Sequence, residues 1–307
     1  MARQLFLGVD GGGTSCRARI RDGGGALLGE ATAGAGNARL GDAAYREIMK
    51  ACLAAARAAG LGEADIAAMH AGFGLAGTQQ DEDRDQIRNR PYPFASLIVD
   101  TDAYASYLGA FSGADGAILI LGTGAGGLAV VNGRRLNVAG WGADIADDGS
   151  GMAIGRLAIR KSLWALEGMA PLTPLAEDIL AEFGRSAASA VIWAGKANPG
   201  DFARFAPRVF AHAGKGDVLA IGVLEQTAAD AAMLIRRLLE LGAPQVAMIG
   251  SIFPHLRVWL RPEIQARLIE PPADAMDGAI LMAERSLKGI GTGRLGSEAA
   301  HLKLQSR

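Results

Sequence analysis

The residues best suited to chemistry fall in a few short segments: Asp10-Gly11-Gly12-Gly13-Thr14, Gly122-Thr123-Gly124, and the carboxylates Asp100 and Asp102. Both glycine segments follow short apolar runs, Leu5–Val9 and Ala117–Leu121, as a strand feeding a tight turn does. In such a turn successive backbone N–H groups can point at phosphate oxygens. A Cβ would obstruct both positive φ and the close approach of an anion. A single loop of this type also serves turns that bind nothing. A matched pair, the first with Asp10 embedded and both carrying a Thr, points to two halves holding one nucleotide. Asp10 at the strand end suits a magnesium ion held through water, because Mg²⁺ dehydrates reluctantly.

Asp100 and Asp102 lie two apart, so strand alternation sends both to one side and parity does not separate them. Asp102 falls at the junction with the following helix, where the dipole favours a carboxylate. At an ordinary pKa of ~3.9 it would be ionised at neutral pH and would orient a hydroxyl and accept its proton late. The segment Gly140-Trp141-Gly142-Ala143-Asp144-Ile145-Ala146-Asp147-Asp148 joins an aromatic to carboxylates. A sugar ring offers an apolar face to the one and hydroxyls to the other. The structural alternative is a buried Trp141 beside an acidic turn, with Asp148 capping a helix from Ser150. His70, His212, His255 and His301 share no metal spacing, and Trp164, Trp193 and Trp259 read as core or interface packing.

Composition limits the classes available. The 307 residues are 50% hydrophobic, enough for a large core and two domains. Lys and Arg number 31 against 32 Asp and Glu, a balance that does not suggest a nucleic-acid or membrane-surface binder. Cys16 and Cys52 are too few for a disulfide framework and read as small buried hydrophobes in a reducing cytosol. The apolar start is shorter than a signal-peptide core and no run approaches ~20 apolar residues, so a soluble cytoplasmic protein is expected.

The elements needed to position these residues follow from pattern. Residues 4–10, 15–21 and 26–33 read as three strands, followed by an alanine-rich helix over 40–59. A strand over 66–73, a helix over 79–89, a strand over 96–99 and a helix capped by Thr101 or Asp102 complete a mixed-sheet domain. From 117 the pattern restarts with strands over 117–121, 127–131 and 134–138. Helices then run from 150 to 241, broken near 171–174, 198–199 and 214–216. Strands are expected over 245–249 and 264–269, and a last helix over 275–286. The face of the stretch 220–241 reads as core or dimer interface. The domains expected are 1–114 and 115–274, with the C-terminal segment 275–307 packing back on the first.

The chain resembles the actin-like ATPase superfamily, and within it the N-acetylglucosamine kinase group and its BadF/BcrA-type relatives. The resemblance rests on GVDGGGT (8–14), GAGN (34–37), GLAG (74–77), VDTDAYAS (99–106), LGTGAGG (121–127), GWGADIADDGSG (140–151) and MIGS (248–251), in the family's order. It implies an α/β fold of two actin-like, ribonuclease H-like domains with a nucleotide cleft between them. It also implies an amino sugar whose 6-hydroxyl attacks the γ-phosphate of Mg-ATP. On the matching positions, Asp102 is the catalytic base, and Asn37, Ala76, Gly77, Gly140, Trp141 and Asp147 contact the sugar. Gly250 and Ser251 lie against the adenosine. Ala125 and Gly126 depart from the family's Ser-Asn and remove one possible hydroxyl donor. N-acetylglucosamine is the first substrate expected and glucosamine the next, with a homodimer as the assembly. The competing readings are a reductase activator with an iron–sulfur cluster, which Cys16 and Cys52 fit poorly, and a nucleotide-dependent sensor, which would not need the acidic Trp141 segment.

Overall fold

The structure, a computed structural model, describes residues 4–291. The strands are β1 (Leu5–Gly11), β2 (Cys16–Asp22), β3 (Leu27–Ala33), β4 (His70–Leu75), β5 (Ser96–Thr101), β6 (Gly116–Leu121), β7 (Ala125–Val131), β8 (Arg134–Ala139), β9 (Val246–Ile249) and β10 (Leu268–Ile269). The helices are α1 (Asp42–Ala58), α2 (Glu63–Ala67), α3 (Asp81–Arg88), α4 (Asp102–Phe111), α5 (Gly151–Leu166), α6 (Pro174–Glu182) and α7 (Ala187–Ala194). They continue as α8 (Pro199–Ala203), α9 (Ala206–Ala213), α10 (Val218–Glu240), α11 (Phe253–Leu256), α12 (Pro262–Gln265) and α13 (Ala275–Leu287). The chain divides into two compact units. Of the described residues, the first takes 4–118, Val130–Arg135 and 270–291; the second takes Leu119–Ala129 and Leu136–Ile269.

In the first unit the sheet order is β3-β2-β1-β4-β5. β1 is nearly continuous in apolar residues and buried on both faces, as a central strand must be. It pairs antiparallel with β2, placing Asp10 opposite Arg17, and parallel with β4. One face carries Cys16, Ala18 and Ile20 against Ala44, Ile48, Ala51 and Ala55 of α1. The other face receives α13, which buries Met276, Ala279, Ile280, Met282 and Ala283. Gly8 and Gly72 make that contact possible, because a Cβ at either would collide with the carbonyl of Met276 or Ala279. Segment 275–287 therefore packs on β1, β4 and α4, and the remainder of the expected C-terminal segment, from 292, lies outside the described residues.

In the second unit the order is β10-β9-β6-β7-β8. The arrangement repeats: a central strand, its hairpin on one side, two later strands on the other. α10 buries Leu219, Ala220, Val223, Leu224, Ala231, Ile235 and Leu238, so its apolar face is core. Its 23 residues are long and apolar enough to cross a membrane by length and composition, which revises the expectation that no such run exists. Half of that stretch is buried, and the helix packs on α5 and α9.

Several boundaries differ from the sequence pattern. Residues 66–73 are not one strand: α2 ends at Ala67 and β4 starts at His70, because Gly62 and Asp65 cap a short helix there. Of 264–269 only Leu268–Ile269 pair, alongside β9. Ala125 and Gly126 belong to β7, not to the turn. A break missed near 184–186 comes from Gly184 and Arg185, both at positive φ.

Candidate active site

The glycine turn after β1 is fixed by its own backbone. The Gly12 N–H donates to the Ser15 carbonyl at 2.9 Å. The Gly36 N–H reaches the Gly12 carbonyl at 3.0 Å, the Ala76 N–H the Gly11 carbonyl at 2.8 Å, and the Ala38 N–H the Ala76 carbonyl at 2.9 Å. Three loops distant in sequence are thereby knitted into one edge holding Gly11, Gly12, Asn37, Ala76 and Gly77. The Asn37 Oδ1 accepts from the Arg39 N–H at 3.0 Å and caps the 3-10 turn Ala38–Leu40, so this residue does have a turn role. Gly77 lies against that same oxygen. Gly11 is packed, since a Cβ there would meet the Leu75 side chain and the Gly36 carbonyl; Gly13 would meet nothing within 4 Å. Gly13 and Thr14 are exposed.

The two carboxylates that parity left equivalent have different environments. Asp100 is 3% exposed, and Arg135 Nη1 donates to both its oxygens at 3.0 Å. The Arg135 guanidinium in turn lies 3.2 Å from the centroid of the Tyr104 ring. Asp100 is thus a structural counter-ion. Thr101 is the cap, its Oγ1 accepting from the Tyr104 N–H at 3.1 Å, and Asp102 opens α4 as its first residue. Burial pushes the Asp102 carboxyl up to about 6, the nearby Asp10 charge adds to the shift, and the Ala103 N–H opposes it. This corrects the expectation of an ordinary carboxylate. At neutral pH Asp102 remains mostly ionised and is a stronger base than an exposed aspartate.

Asp10 is paired with Arg17, whose Nη2 donates to Oδ2 at 2.6 Å. A single, partly exposed carboxylate at the turn fits a magnesium ion that keeps most of its waters and takes phosphate oxygens for the rest. No group of three or more His, Cys, Asp or Glu able to hold a metal is found among the described residues. Cys16 and Cys52 both lie in the core of the first unit, and burial pushes the Cys16 thiol up to about 12, so neither offers a thiolate to a cluster.

In the second unit the turn after β6 is closed by the Gly122 N–H on the Gly124 carbonyl at 3.0 Å. The N-terminus of α5 fastens it, with the Gly151 N–H on the Gly122 carbonyl at 2.8 Å and the Met152 N–H on the Thr123 carbonyl at 3.2 Å. A Cβ at Gly122 would meet nothing within 4 Å, whereas one at Gly124 would touch Asp147 Oδ2 at 2.7 Å. Asp147 adopts φ 69° and is 8% exposed. Its carboxylate accepts from the Ala125 and Gly142 N–H groups while burial raises its pKa. It therefore ties the 140–149 loop to the glycine turn. Ser150, not Asp148, caps α5, its Oγ accepting from the Ala153 N–H at 3.1 Å. Trp141 is 67% exposed, so the alternative of a buried indole is excluded. Gly250 at φ 105° lies against the Leu121 carbonyl, where any Cβ would clash. The Ile252 N–H on the Leu121 carbonyl at 3.1 Å brings Ser251 to the same turn.

The predicted residues thus fall into two groups. Asp10–Thr14, Asn37, Ala76, Gly77 and Asp102 share the first unit; Gly122–Gly124, Gly140, Trp141, Asp147, Gly250 and Ser251 share the second. Sequence reasoning passed over Arg17 and Arg135. Hairpin register was the available signal for Arg17; nothing local marked Arg135.

A duplicated five-strand α/β unit, each copy ending its central strand in a glycine turn, is the fold of actin-like ATPases and sugar kinases. A ROK family glucokinase from Streptomyces griseus matches at TM-score 0.53 and 18% identity, covering 91% of this chain and 98% of that one. The chain belongs to the BadF/BadG/BcrA/BcrD ATPase family, whose model matches residues 7–283. It is 41% identical to a glucosamine kinase of Vibrio cholerae over 91% of this chain and 95% of that protein. It is 30% identical to an N-acetylmuramic acid/N-acetylglucosamine kinase of Clostridium acetobutylicum over 58% of this chain and 59% of that protein. Among solved structures, a Chromobacterium violaceum protein assigned as an N-acetylglucosamine kinase matches at TM-score 0.84 and 34% identity, covering 91% of this chain and 99% of that one.

Proposed function

We propose that this protein is an ATP-dependent amino-sugar kinase that phosphorylates the 6-hydroxyl of glucosamine, with N-acetylglucosamine as the second candidate. That order reverses the one drawn from motifs alone, because the glucosamine kinase similarity runs nearly the full length of both proteins. The observation that carries the reading is the pair of turns in which Gly13 and Gly122 have open space where a Cβ would stand. Neither glycine is needed by the fold at that atom, which suits close approach of a ligand's phosphates.

In the transfer, the bond from the sugar O6 to the γ-phosphorus forms as the bond from that phosphorus to the bridging oxygen breaks. ADP leaves, and the O6 proton passes to the Asp102 carboxylate. Asp102 aims the hydroxyl, and its raised basicity favours late proton transfer in a loose transition state. The N–H groups of both turns and the Thr14 and Thr123 hydroxyls hold the phosphates. Asp10 would orient the hydrated Mg²⁺, whose charge offsets that of the phosphates. Asn37, Ala76, Gly77, Gly140, Trp141 and Asp147 are assigned to the sugar, and Gly250 with Ser251 to the adenosine. The protein is further proposed to act as a cytoplasmic homodimer.

The test is turnover by purified protein against a panel of sugars, read as ADP release and as sugar 6-phosphate by ³¹P NMR. Glucosamine-dependent phosphate transfer is expected. ATP hydrolysis indifferent to every sugar would remove the kinase reading.

A further inference from the structure

One arginine holds the junction at Asp102 from both sides. Arg135 Nη1 donates to both oxygens of Asp100, two residues before Asp102. The same guanidinium lies 3.2 Å from the centroid of the Tyr104 ring, two residues after it. Each end of this grip is itself fixed. Asp100 Oδ1 accepts from the Thr101 N–H at 2.7 Å, and the Asp100 carbonyl accepts from the buried Thr78 Oγ1 at 3.2 Å. The Tyr104 ring stacks on Tyr107 and Tyr107 on Phe111, with centroids 5.7 and 5.9 Å apart. Arg135 comes from the tip of the β7–β8 hairpin, residues 130–135, which belongs to the first unit. The Asn132 N–H ties that tip to Asp115 Oδ1 at 2.9 Å.

Stability alone does not account for the arrangement. Arg135 Nε and Nη2 are buried with no hydrogen-bond acceptor among the described residues, so the guanidinium forgoes bonds that water would make. Apolar residues of similar volume often match or better a buried pair of this kind. What the pair supplies is direction, because a planar fork set on an aromatic face keeps little rotational freedom. Asp102 needs that direction. Its Oδ1 accepts from the Ala103 N–H at 2.8 Å, and no ion pair holds it among the described residues, so its aim follows the backbone that carries it.

We propose that Arg135 is a positioning residue for the reaction: by gripping Asp100 and Tyr104 at once, it fixes the strand-to-helix junction from which Asp102 meets the sugar hydroxyl. Arg135 is 3% exposed and acts through Asp102, not on a substrate. The role in transfer rests on the kinase reading; the grip on the junction does not. A general base displaced by about 1 Å can cost ~10²-fold in rate, so even a modest loosening is measurable.

The test compares wild type with Asp100→Asn/Arg135→Met, which removes the grip and both charges together, and with Arg135→Lys. The double variant should melt within ~3 °C of wild type. Its kcat for glucosamine phosphorylation should nonetheless fall about 10–10²-fold. The KM values for ATP and glucosamine should stay within about threefold, because the residues assigned to binding are untouched. Arg135→Lys should lose less, about three- to tenfold in kcat, since lysine keeps a charge for Asp100 but not the planar fork on Tyr104. Amide hydrogen exchange without substrate should be about tenfold faster at Ala103 and Tyr104 in the double variant. Wild-type kcat in either folded variant overturns the proposal, as does a loss confined to KM. If wild type leaves glucosamine unphosphorylated, the kinase reading falls and exchange decides the grip: faster exchange upholds it, and unchanged protection at Ala103 and Tyr104 overturns it.

Discussion

The two glycine turns solve one problem with different materials. The turn at 11–13 is braced by neighbouring loops through the Gly36 and Ala76 N–H groups, and it carries a charged pair, Asp10 with Arg17. The turn at 122–124 is braced by the first turn of α5 and by the Asp147 carboxylate, and its own polar side chain is the neutral Thr123. Yet each holds one packed glycine, Gly11 or Gly124, and one open glycine, Gly13 or Gly122. The packed glycine serves the fold, and the open one is the position that the proposed function assigns to close approach of phosphate. Identical letters in a motif thus answer to different constraints, and the charges that could do chemistry belong to the first turn.

The sharpest break between the two regions is expected at Asp102, which only the first possesses. Asp102→Asn should lower kcat about 10²–10⁴-fold, measured in the coupled assay, as loss of a general base does. The pH profile of wild-type kcat/KM should fall on the acid side with a limb at about 6, where Asp102 takes up its proton. The same raised pKa has a stability sign. The native state holds this proton more tightly than the unfolded chain, so its contribution is full below ~4 and is lost as pH rises through about 6. Asp102→Asn should therefore melt higher than wild type at pH ~7 and match it below about 4. A variant that is both active and no more stable would contradict this assignment.

Next in size is the buried pair beneath that junction. Arg135→Ala strips Asp100 of its counter-ion and should cost about 3–5 kcal/mol in denaturant unfolding, against near neutrality for an Asp100→Asn/Arg135→Met double variant. Smaller effects come from the open glycines. Gly13→Ala and Gly122→Ala should each weaken nucleotide about tenfold, since a methyl stands where the phosphate would approach, with melting points within ~2 °C of wild type. A loss at either would show that its turn meets the nucleotide. The smallest change is expected at Asp147→Asn, ~1 kcal/mol of stability or less, because Asn keeps one acceptor for the Ala125 or Gly142 N–H and the charge it removes is one that burial disfavours.

Much of the fold was legible because its signals are local. Apolar runs ended by glycines gave the strands of both units, and Thr101 or Asp102 marked the start of α4. The failures were local too. The pattern over 66–73 merged a helix with a strand, since Gly62 and Asp65 cap too short a helix to show periodicity. The small Ala125 and Gly126 looked like turn yet pair within β7. The candidate site was legible as segments but not as roles: Trp141 could have been buried, and Asp148 could have been the cap.

By itself the sequence determined that two glycine turns end two central strands and that acidic groups stand near the first. Hydrophobic alternation and glycine's lack of a Cβ act within a few residues, so no distant partner is needed to see them. Only the tertiary structure decided which carboxylate is free. Asp100 and Asp102 are equivalent by alternation until Arg135, 35 residues away in the chain, neutralises one and leaves the other half-buried, with no ion pair among the described residues. The cost of burying a charge depends on what the fold brings beside it, and that neighbour is set by packing over distances no local pattern encodes.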